Sequence, residues 1–448
     1  MPRLTLQGAG PSLAFVPPAY TPWLRRAISL LIPLLLRRRG VQQVRPEGVE
    51  DLARLYAAQQ QGRIRLLVAF RHPSTRDPLL MAWLLWHALP RAARRIGLEL
   101  RRPVHCQFLY DRGIPLWAGA LVGWVLSHLG GIAIQRGKLD RQALRAARDL
   151  AVHGPFPLAI APEGATNDHG ELISPLEPGL AQMAFWACED LEAEGREERV
   201  MVVPLGLRYG LRRPDWTRID RFLALLEGRL GLEAKPAAAS DGSEARYGRF
   251  LAVAEGLLIA LEGFYGRAHG LVLEPTGTFQ DRLTSLRHRV LEMAERPFGL
   301  RSQGSLQDRC RRIEQAAWER MYRADLDALS PVDRSLADWT AAEAALALGH
   351  MRLVEPFAAI SGTYVAAKPS PDRYAELLQI LWRAVVWIEG RPEDPPPDLG
   401  PLQARIRLGT PIDVTARRGD YRRDRRRAVE DLTTAVGRGL EEAIADPA

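Results

Sequence analysis

His72 and Asp77 stand five positions apart in AFRHPSTRDP, residues 69–78. An imidazole and a carboxylate can form a general-base pair. The carboxylate holds one ring nitrogen as N–H, which leaves the other free to take a proton. On one regular helix, five positions turn through about 500°, and the two side chains would point roughly 140° apart. The prolines forbid that geometry. Pro78 suits the first helical position, and Asp77, preceding it, is pushed out of the helical region, which makes it a natural N-cap. Residues 72–77 therefore read as a turn between a strand end and a helix start, and a turn can fold Asp77 back towards the ring. Taken singly, each residue also has a plainer reading: Asp77 as a helix cap, His72 as a partly exposed turn residue.

Three further stretches carry candidate chemistry, each at the end of an apolar run or within one. GGIAIQR (130–136) brings Arg136 to a strand end. IAPEGATN (160–167) does the same for Glu163 and Gly164. VVPLGLRY (202–209) puts Pro204 inside an apolar strand. A base with its carboxylate, a cation, an acid beside a glycine and a proline-bearing strand thus fall at one edge of an inferred sheet.

The elements that must position them alternate in kind. RIRLLVAF (63–70), HCQFLY (105–110), GIAI (131–134), PFPLAIA (155–161) and RVMVVPLGLRY (199–209) have the length and composition of strands. PLLMAWLLWHAL (78–89), residues 116–129 and DRQALRAARDLAV (140–152) read as helices, with Asp140 at a capping place. Strands alternating with helices imply an α/β fold with a mixed sheet flanked by helices, its site beyond the carboxyl ends of the strands.

The pattern changes after about residue 212. KPAAASDGSE (235–244) reads as a loop. The stretch 249–266 puts Phe250, Val253, Leu257, Leu258, Leu261 and Phe264 on one helical stripe. Thr278 with Asp281, and Ser305 with Asp308, have capping-box spacing. Further helices are expected at about 334–349 and 371–389. After the proline-rich connector 389–401, QARIRLGTPIDV (403–414) reads as strand, turn, strand. The expected organisation is an N-terminal segment (1–40), an α/β domain (41–212), a large all-helical insertion (213–401) placed before the last strand, and a closing segment (402–448) with that strand and a C-terminal helix.

The ordered set of motifs resembles the glycerolipid acyltransferase family, which includes the lysophosphatidic acid acyltransferases. HPSTRD matches that family's first block at His72 and Asp77. GGIAIQR matches the second through Gly130, Ile134 and Arg136, with Ala133 where phenylalanine is usual. APEGATN matches the third through Pro162, Glu163 and Gly164, and VVPLGL the fourth at Pro204. RLGTPIDV (407–414) looks like the closing strand. The resemblance covers about 41–212 and 402–415.

It implies transfer of a fatty acyl group from an acyl thioester, acyl-CoA or acyl carrier protein, to a hydroxyl of a lysophospholipid acceptor such as lysophosphatidic acid. No further cofactor and no metal is expected. His72 would be the base and Asp77 would orient it. Backbone N–H groups near the start of the 78–89 helix would face the oxyanion. Arg136 would bind an acceptor phosphate, Glu163 would orient the acceptor or organise the site, and Gly164 would allow a close backbone approach. Thr166 joins the acceptor-binding set, and Pro204 would shape the acyl-side wall. Where the family has Thr-Arg-Ser, this chain has Ala165, Thr166 and Asn167. Either Arg136 carries the phosphate alone, helped by Arg71 or Arg76, or the acceptor has no phosphate beside its hydroxyl.

Composition bounds the partners. The net charge is +8, yet only Lys138, Lys235 and Lys368 are lysines among 61 basic residues, so arginine is the habitual cation here. Anionic lipid head groups or an acidic carrier fit that balance. RRGDYRRDRRR (417–427) has little aromatic interleaving, and nucleic acid is not an expected partner. Three separated cysteines give neither a disulfide framework nor a zinc spacing. WLRRAISLLIPLLLRRRG (23–40) has an apolar centre too short to span a bilayer. It reads as a helix lying in the membrane interface, or as a buried helix at the domain edge. Residues 116–134 read as a mostly buried helix followed by a strand, at most touching the bilayer. The expected location is the cytoplasmic face of a membrane, peripheral or monotopic. A lipid-binding protein of the same fold without catalysis is the rival reading.

Overall fold

IRLLVAF is buried along its whole length, as a strand with helices on both faces must be. In the computed structural model, which describes residues 8–135, 140–233, 243–273, 276–359 and 362–446, that strand lies in an eight-stranded mixed sheet. The strands are β1 (Val41–Glu47), β2 (Ile64–Phe70), β3 (Gln107–Asp111), β4 (Gly131–Ile134), β5 (Leu158–Ile160), β6 (Arg199–Leu211), β7 (Leu402–Leu408) and β8 (Ile412–Asp413). Their order is β1-β7-β6-β2-β5-β3-β4, with β8 also on β6. From β6 to β4 all neighbours are parallel; β7 and β8 run antiparallel to β6, and β1 is parallel to β7.

The chain divides into two units. One comprises the described residues of 15–135, 140–213 and 400–446 and holds this sheet. The other comprises residues 8–14 and the described residues of 214–399. The N-terminal segment expected as one piece is thus shared between them. The second unit is helical. Its helices include Trp216–Arg229, which the sequence reading did not single out, Ser243–His269 and Pro331–Val354. Both capping boxes form, at Thr278 with Asp281 and at Ser305 with Asp308. On Ser243–His269 the buried stripe ends with Tyr265, and Phe264 is exposed. Most of the loop expected at 235–244 lies outside the described residues.

Side chains of alternate parity on the sheet feed two cores. Leu66, Val68, Phe70, Val203, Leu205 and Leu207 pack against α1 (Pro22–Arg38), α2 (Val49–Gln60) and the helix opening with α3 (Asp77–Trp83). That helix passes through a π-helical turn at Leu84–Ala88 and ends as α4 (Leu89–Arg95). Leu67, Ala69, Val200 and Val202 face the other core. The long apolar run 116–134 is broken at Gly119 (φ 91°) into α5 (Ile114–Ala118) and α6 (Ala120–His128). It is not mostly buried: within α6 only Gly123 and Ser127 are buried, while Leu121 and Trp124 face outward. The helix α7 (Arg141–His153) sets Ala143, Ala147 and Ala151 on the second core and takes its N-cap from Asp140, as expected. Beside it lie α8 (Gly179–Ala193) and, after the short α9 (Arg418–Arg423), the C-terminal α10 (Arg425–Ile444). Glycines let α10 approach the sheet closely. A Cβ at Gly439 would stand 2.6 Å from Pro204 Cγ, and one at Gly206 would stand 2.8 Å from backbone atoms of Ala443.

Candidate active site

The centre of the site is the turn leaving β2. His72 Nδ1 and Asp77 Oδ2 are 2.8 Å apart. The Asp77 carboxylate is fully buried, while the His72 side chain is 25% exposed. The same Oδ2 accepts the backbone N–H of Ser74 at 2.9 Å, which ties the turn closed. On Oδ1 the Tyr209 hydroxyl donates at 2.6 Å. Asp77 is the first residue of α3 rather than its N-cap, a place that falls to Arg76. The reason is occupancy: His72, Ser74 and Tyr209 claim the carboxylate, and its oxygens point back towards the turn. Nε2 of His72 has no hydrogen bond among the described residues, and this ring nitrogen is on the accessible side chain.

The amides at the start of α3 do not serve as the sequence suggested. The N–H of Asp77 donates to Ser74 O, those of Leu79 and Leu80 both donate to Arg76 O, and Pro78 has none. They are committed to the turn and the first helical bonds.

Glu163 is brought to the same turn but is wholly buried, so it does not meet an acceptor. Its Oε1 accepts the N–H of His72 at 2.9 Å, and its Oε2 accepts from Asn167 Nδ2 at 3.1 Å and Ser174 N at 3.0 Å. It organises the loop following β5. Gly164 sits in that loop at φ 71°, a left-handed conformation that a side chain would strain, and closes a turn onto Ala161 O at 3.2 Å. Asp168 N donates to Pro73 O at 3.1 Å, joining this loop to the His72 turn. Thr166 lies half-buried in the same loop.

Arg71 is fully buried and is not available to a phosphate. Its Nε is 3.9 Å from Glu163 Oε1, and its other nitrogens donate to the carbonyls of Gly170, His169, Leu207 and Leu172. Arg76 donates to Arg39 O at 2.8 Å and Ser74 Oγ at 3.1 Å. Arg136 lies outside the described residues. Flanking it, Asp140 accepts from Gln135 N at 3.0 Å and pairs with Arg112.

Pro204 is not part of this cluster. Its parity matches Val200 and Val202, and its ring meets the space at Gly409 and Gly439 on the α10 side. β6 is paired there with β8 up to Val202 and with β7 from Leu205, so the proline's missing N–H falls opposite the turn between them.

Sequence reasoning missed Tyr209. Its reach depends on strand register, which its place in VVPLGLRY does not signal. β6 pairs with β2 up to Leu205 opposite Phe70, then runs on beside β7, with Tyr209 opposite Ala404. That overrun of four residues, about 13 Å at strand rise, carries the phenol past the end of β2 and over the turn.

A mixed α/β sheet with a histidine–carboxylate pair in the turn beyond its central strand, braced by a buried acid from the next strand end, defines the class of this unit. Residues 43–208 match the family model described as Acyltransferase, a stretch that runs from β1 to β6 and holds the His72 turn. No curated protein and no solved structure was found to match. Among the described residues no group of three or more His, Cys, Asp and Glu could hold a metal ion, and no helix is long and apolar enough to cross a membrane.

Proposed function

We propose that this domain transfers a fatty acyl group from an acyl thioester, acyl-CoA or acyl carrier protein, to a hydroxyl of a glycerolipid, with lysophosphatidic acid as the leading acceptor. His72 Nε2 takes the hydroxyl proton as the oxygen attacks the thioester carbonyl, and Asp77 holds the ring and stabilises the imidazolium. The tetrahedral intermediate collapses as the thiolate leaves, and the proton on His72 passes to the leaving sulfur. No acyl-enzyme is required. The observation that carries this reading is the 2.8 Å bond from a partly exposed imidazole to a buried carboxylate.

A second acceptor class has one observation in its favour. Ala165 is exposed where the family has threonine, and Asn167 is turned onto Glu163, so residues 165–167 offer no cation to a phosphate. An acceptor without a phosphate fits that loop.

We place the reaction at a membrane surface with anionic lipid. On α1, Trp23, Leu30, Leu31 and Leu34 are exposed on one face, and Arg26, Arg37 and Arg38 are exposed around them. Apolar side chains framed by arginine suit the interfacial depth of a bilayer.

The test incubates purified protein with labelled acyl-CoA and acyl carrier protein thioesters and a panel of lysophosphatidic acid, other lysophospholipids, glycerol 3-phosphate and non-phosphorylated alcohols. Transfer to one acceptor class, lost in His72→Ala, is expected. Transfer to none of them, or an unchanged rate in His72→Ala, would overturn the reading.

A further inference from the structure

Tyr209 lies 132 positions from Asp77 in the chain, yet its hydroxyl is 2.6 Å from a carboxylate with no exposure. A buried carboxylate must have its lone pairs met, because an unpaired charge in the interior is costly. Oδ2 is met twice on its own side of the turn, by the ring of His72 and the amide of Ser74. Oδ1 has Tyr209. The two sides do different work. The Ser74 and His72 bonds come from within the turn and move with it. The Tyr209 bond comes from the overrun of β6, whose backbone is held by the antiparallel ladder with β7. The carboxylate plane is therefore fixed to the sheet, and with it the direction in which Oδ2 meets the imidazole.

We propose that Tyr209 is a positioning residue of the reaction, acting through Asp77: its hydroxyl fixes the carboxylate against His72 and takes up part of its charge. This rests on His72 being the base. The charge sharing has a direction. A donor on Oδ1 makes the carboxylate a weaker partner for an imidazolium, so Tyr209 moderates how basic His72 becomes. Burial, and then the Asp77 charge, push the Tyr209 hydroxyl well above its ordinary value, so it stays a donor throughout the range in which an imidazole titrates. A tyrosine serving only to fill space would share the packing of Tyr209 but not this coupling.

The test is Tyr209→Phe, which keeps the ring and removes the donor. Two readings are taken on the full chain: the titration of the His72 ring by NMR, assigned by its loss in His72→Ala, and kcat and KM across pH. The His72 titration is expected to move upward, as Asp77 becomes the stronger partner. The acid limb of the rate profile should move with it. At its plateau kcat should fall about tenfold with KM for both substrates unchanged. An unmoved His72 titration with kcat within twofold of the parent would overturn the inference, even if Tyr209→Phe is less stable. Should Tyr209→Phe fail to fold, fluorotyrosine in place of Tyr209, a stronger donor of nearly the same size, serves instead: the His72 titration is expected to move downward, and an unmoved titration rejects the coupling. Failure of the underlying function is seen separately, as transfer that survives His72→Ala.

Discussion

Arg71 and Glu163 meet with no exposure of either side chain, Nε 3.9 Å from Oε1, directly behind the backbone of His72. The guanidinium also gathers the carbonyls of His169, Gly170 and Leu207, so one buried cation ties the loop after β5 to the ends of β2 and β6. Removing one member of such a pair leaves the other charged and dry, at a cost of roughly 3–5 kcal/mol. Glu163→Ala is expected to lose about that much stability by urea denaturation, and Glu163→Gln less, because an amide oxygen can still accept from His72 N. Equal stability in Glu163→Ala and the parent would show that the pair does not hold the loop.

Asp77→Asn tests the proposed base more finely than removing the imidazole. The amide fills the same volume and can still accept from Ser74 N, but it carries no charge to stabilise an imidazolium. Transfer is expected to fall about 10²–10⁴-fold with little change in KM. Near-parental kcat in a folded Asp77→Asn protein would mean that the carboxylate acts only as a turn fastener.

The pairing of His72 with Asp77 was legible in the chain because two prolines exclude a helix across them and leave only a turn. The strand set was legible for a related reason: short, bulky runs ending at turn residues have few other fates. What surrounds the pair was not. Arg71 reads as a helper for a phosphate and Glu163 as orienting the acceptor or organising the site, whereas their burial depends on residues 163–174 folding back over the end of β2. Tyr209 reaches Asp77 only through a register overrun, which no local pattern encodes. Pro204 reads as an acyl-side wall from its order in the motif set, and its parity with Val200 and Val202 turns it towards Gly439 on α10. α6 looked buried on hydropathy alone, but apolar composition does not say which face has a partner, and Leu121 and Trp124 have none that covers them.

His105 gives the fold a defined acid sensitivity. It is buried, with Trp86 Nε1 donating to Nδ1 at 3.2 Å and Nε2 donating to Leu129 O at 2.7 Å, an arrangement that holds the neutral ring. Burial lowers its pKa to about 4. The unfolded chain then binds a proton near pH 6.5 that the folded chain refuses until about 4. Stability is full above 6.5 and is lost as pH falls towards 4, by about 3 kcal/mol from this group. His105→Gln should be less stable at neutral pH yet lose less between pH 6.5 and 4. Parallel stability–pH curves for parent and variant would reject that origin.

The approach of α10 to the sheet predicts two intolerant glycines. Gly206→Ala would set a methyl 2.8 Å from the backbone of Ala443, and no rotamer can relieve a clash with backbone. Gly439→Ala would press on the Pro204 ring at 2.6 Å. Each is expected to cost about 1–3 kcal/mol as overpacking. The helix propensity gained at Gly439 offsets up to about 1 kcal/mol of this, so Gly206→Ala should be the worse of the two. The measurement is thermal melting of both variants. A Gly206→Ala protein as stable as the parent would show that α10 packs less closely than described.

The exposed stripe on α1 is where the proposed membrane contact is tested. Leu30 is 82% exposed, and Leu31 and Leu34 are about half exposed, so polar replacements there cost the fold little. Burying one leucine in an interface is worth up to about 1.5–3 kcal/mol, or at least tenfold in partitioning. Leu30→Asp should therefore weaken co-sedimentation with phosphatidylglycerol-containing vesicles by about tenfold, and the double variant Leu30→Asp with Leu34→Asp more. The arginines around the stripe act through charge, so raising salt should weaken binding of the parent without abolishing it. Transfer to a short-chain, water-soluble acceptor should stay at the parental rate in both variants, since the hydrogen-bond partners of His72 and Asp77 include neither leucine. Vesicle binding unchanged by either substitution would remove α1 from the membrane contact.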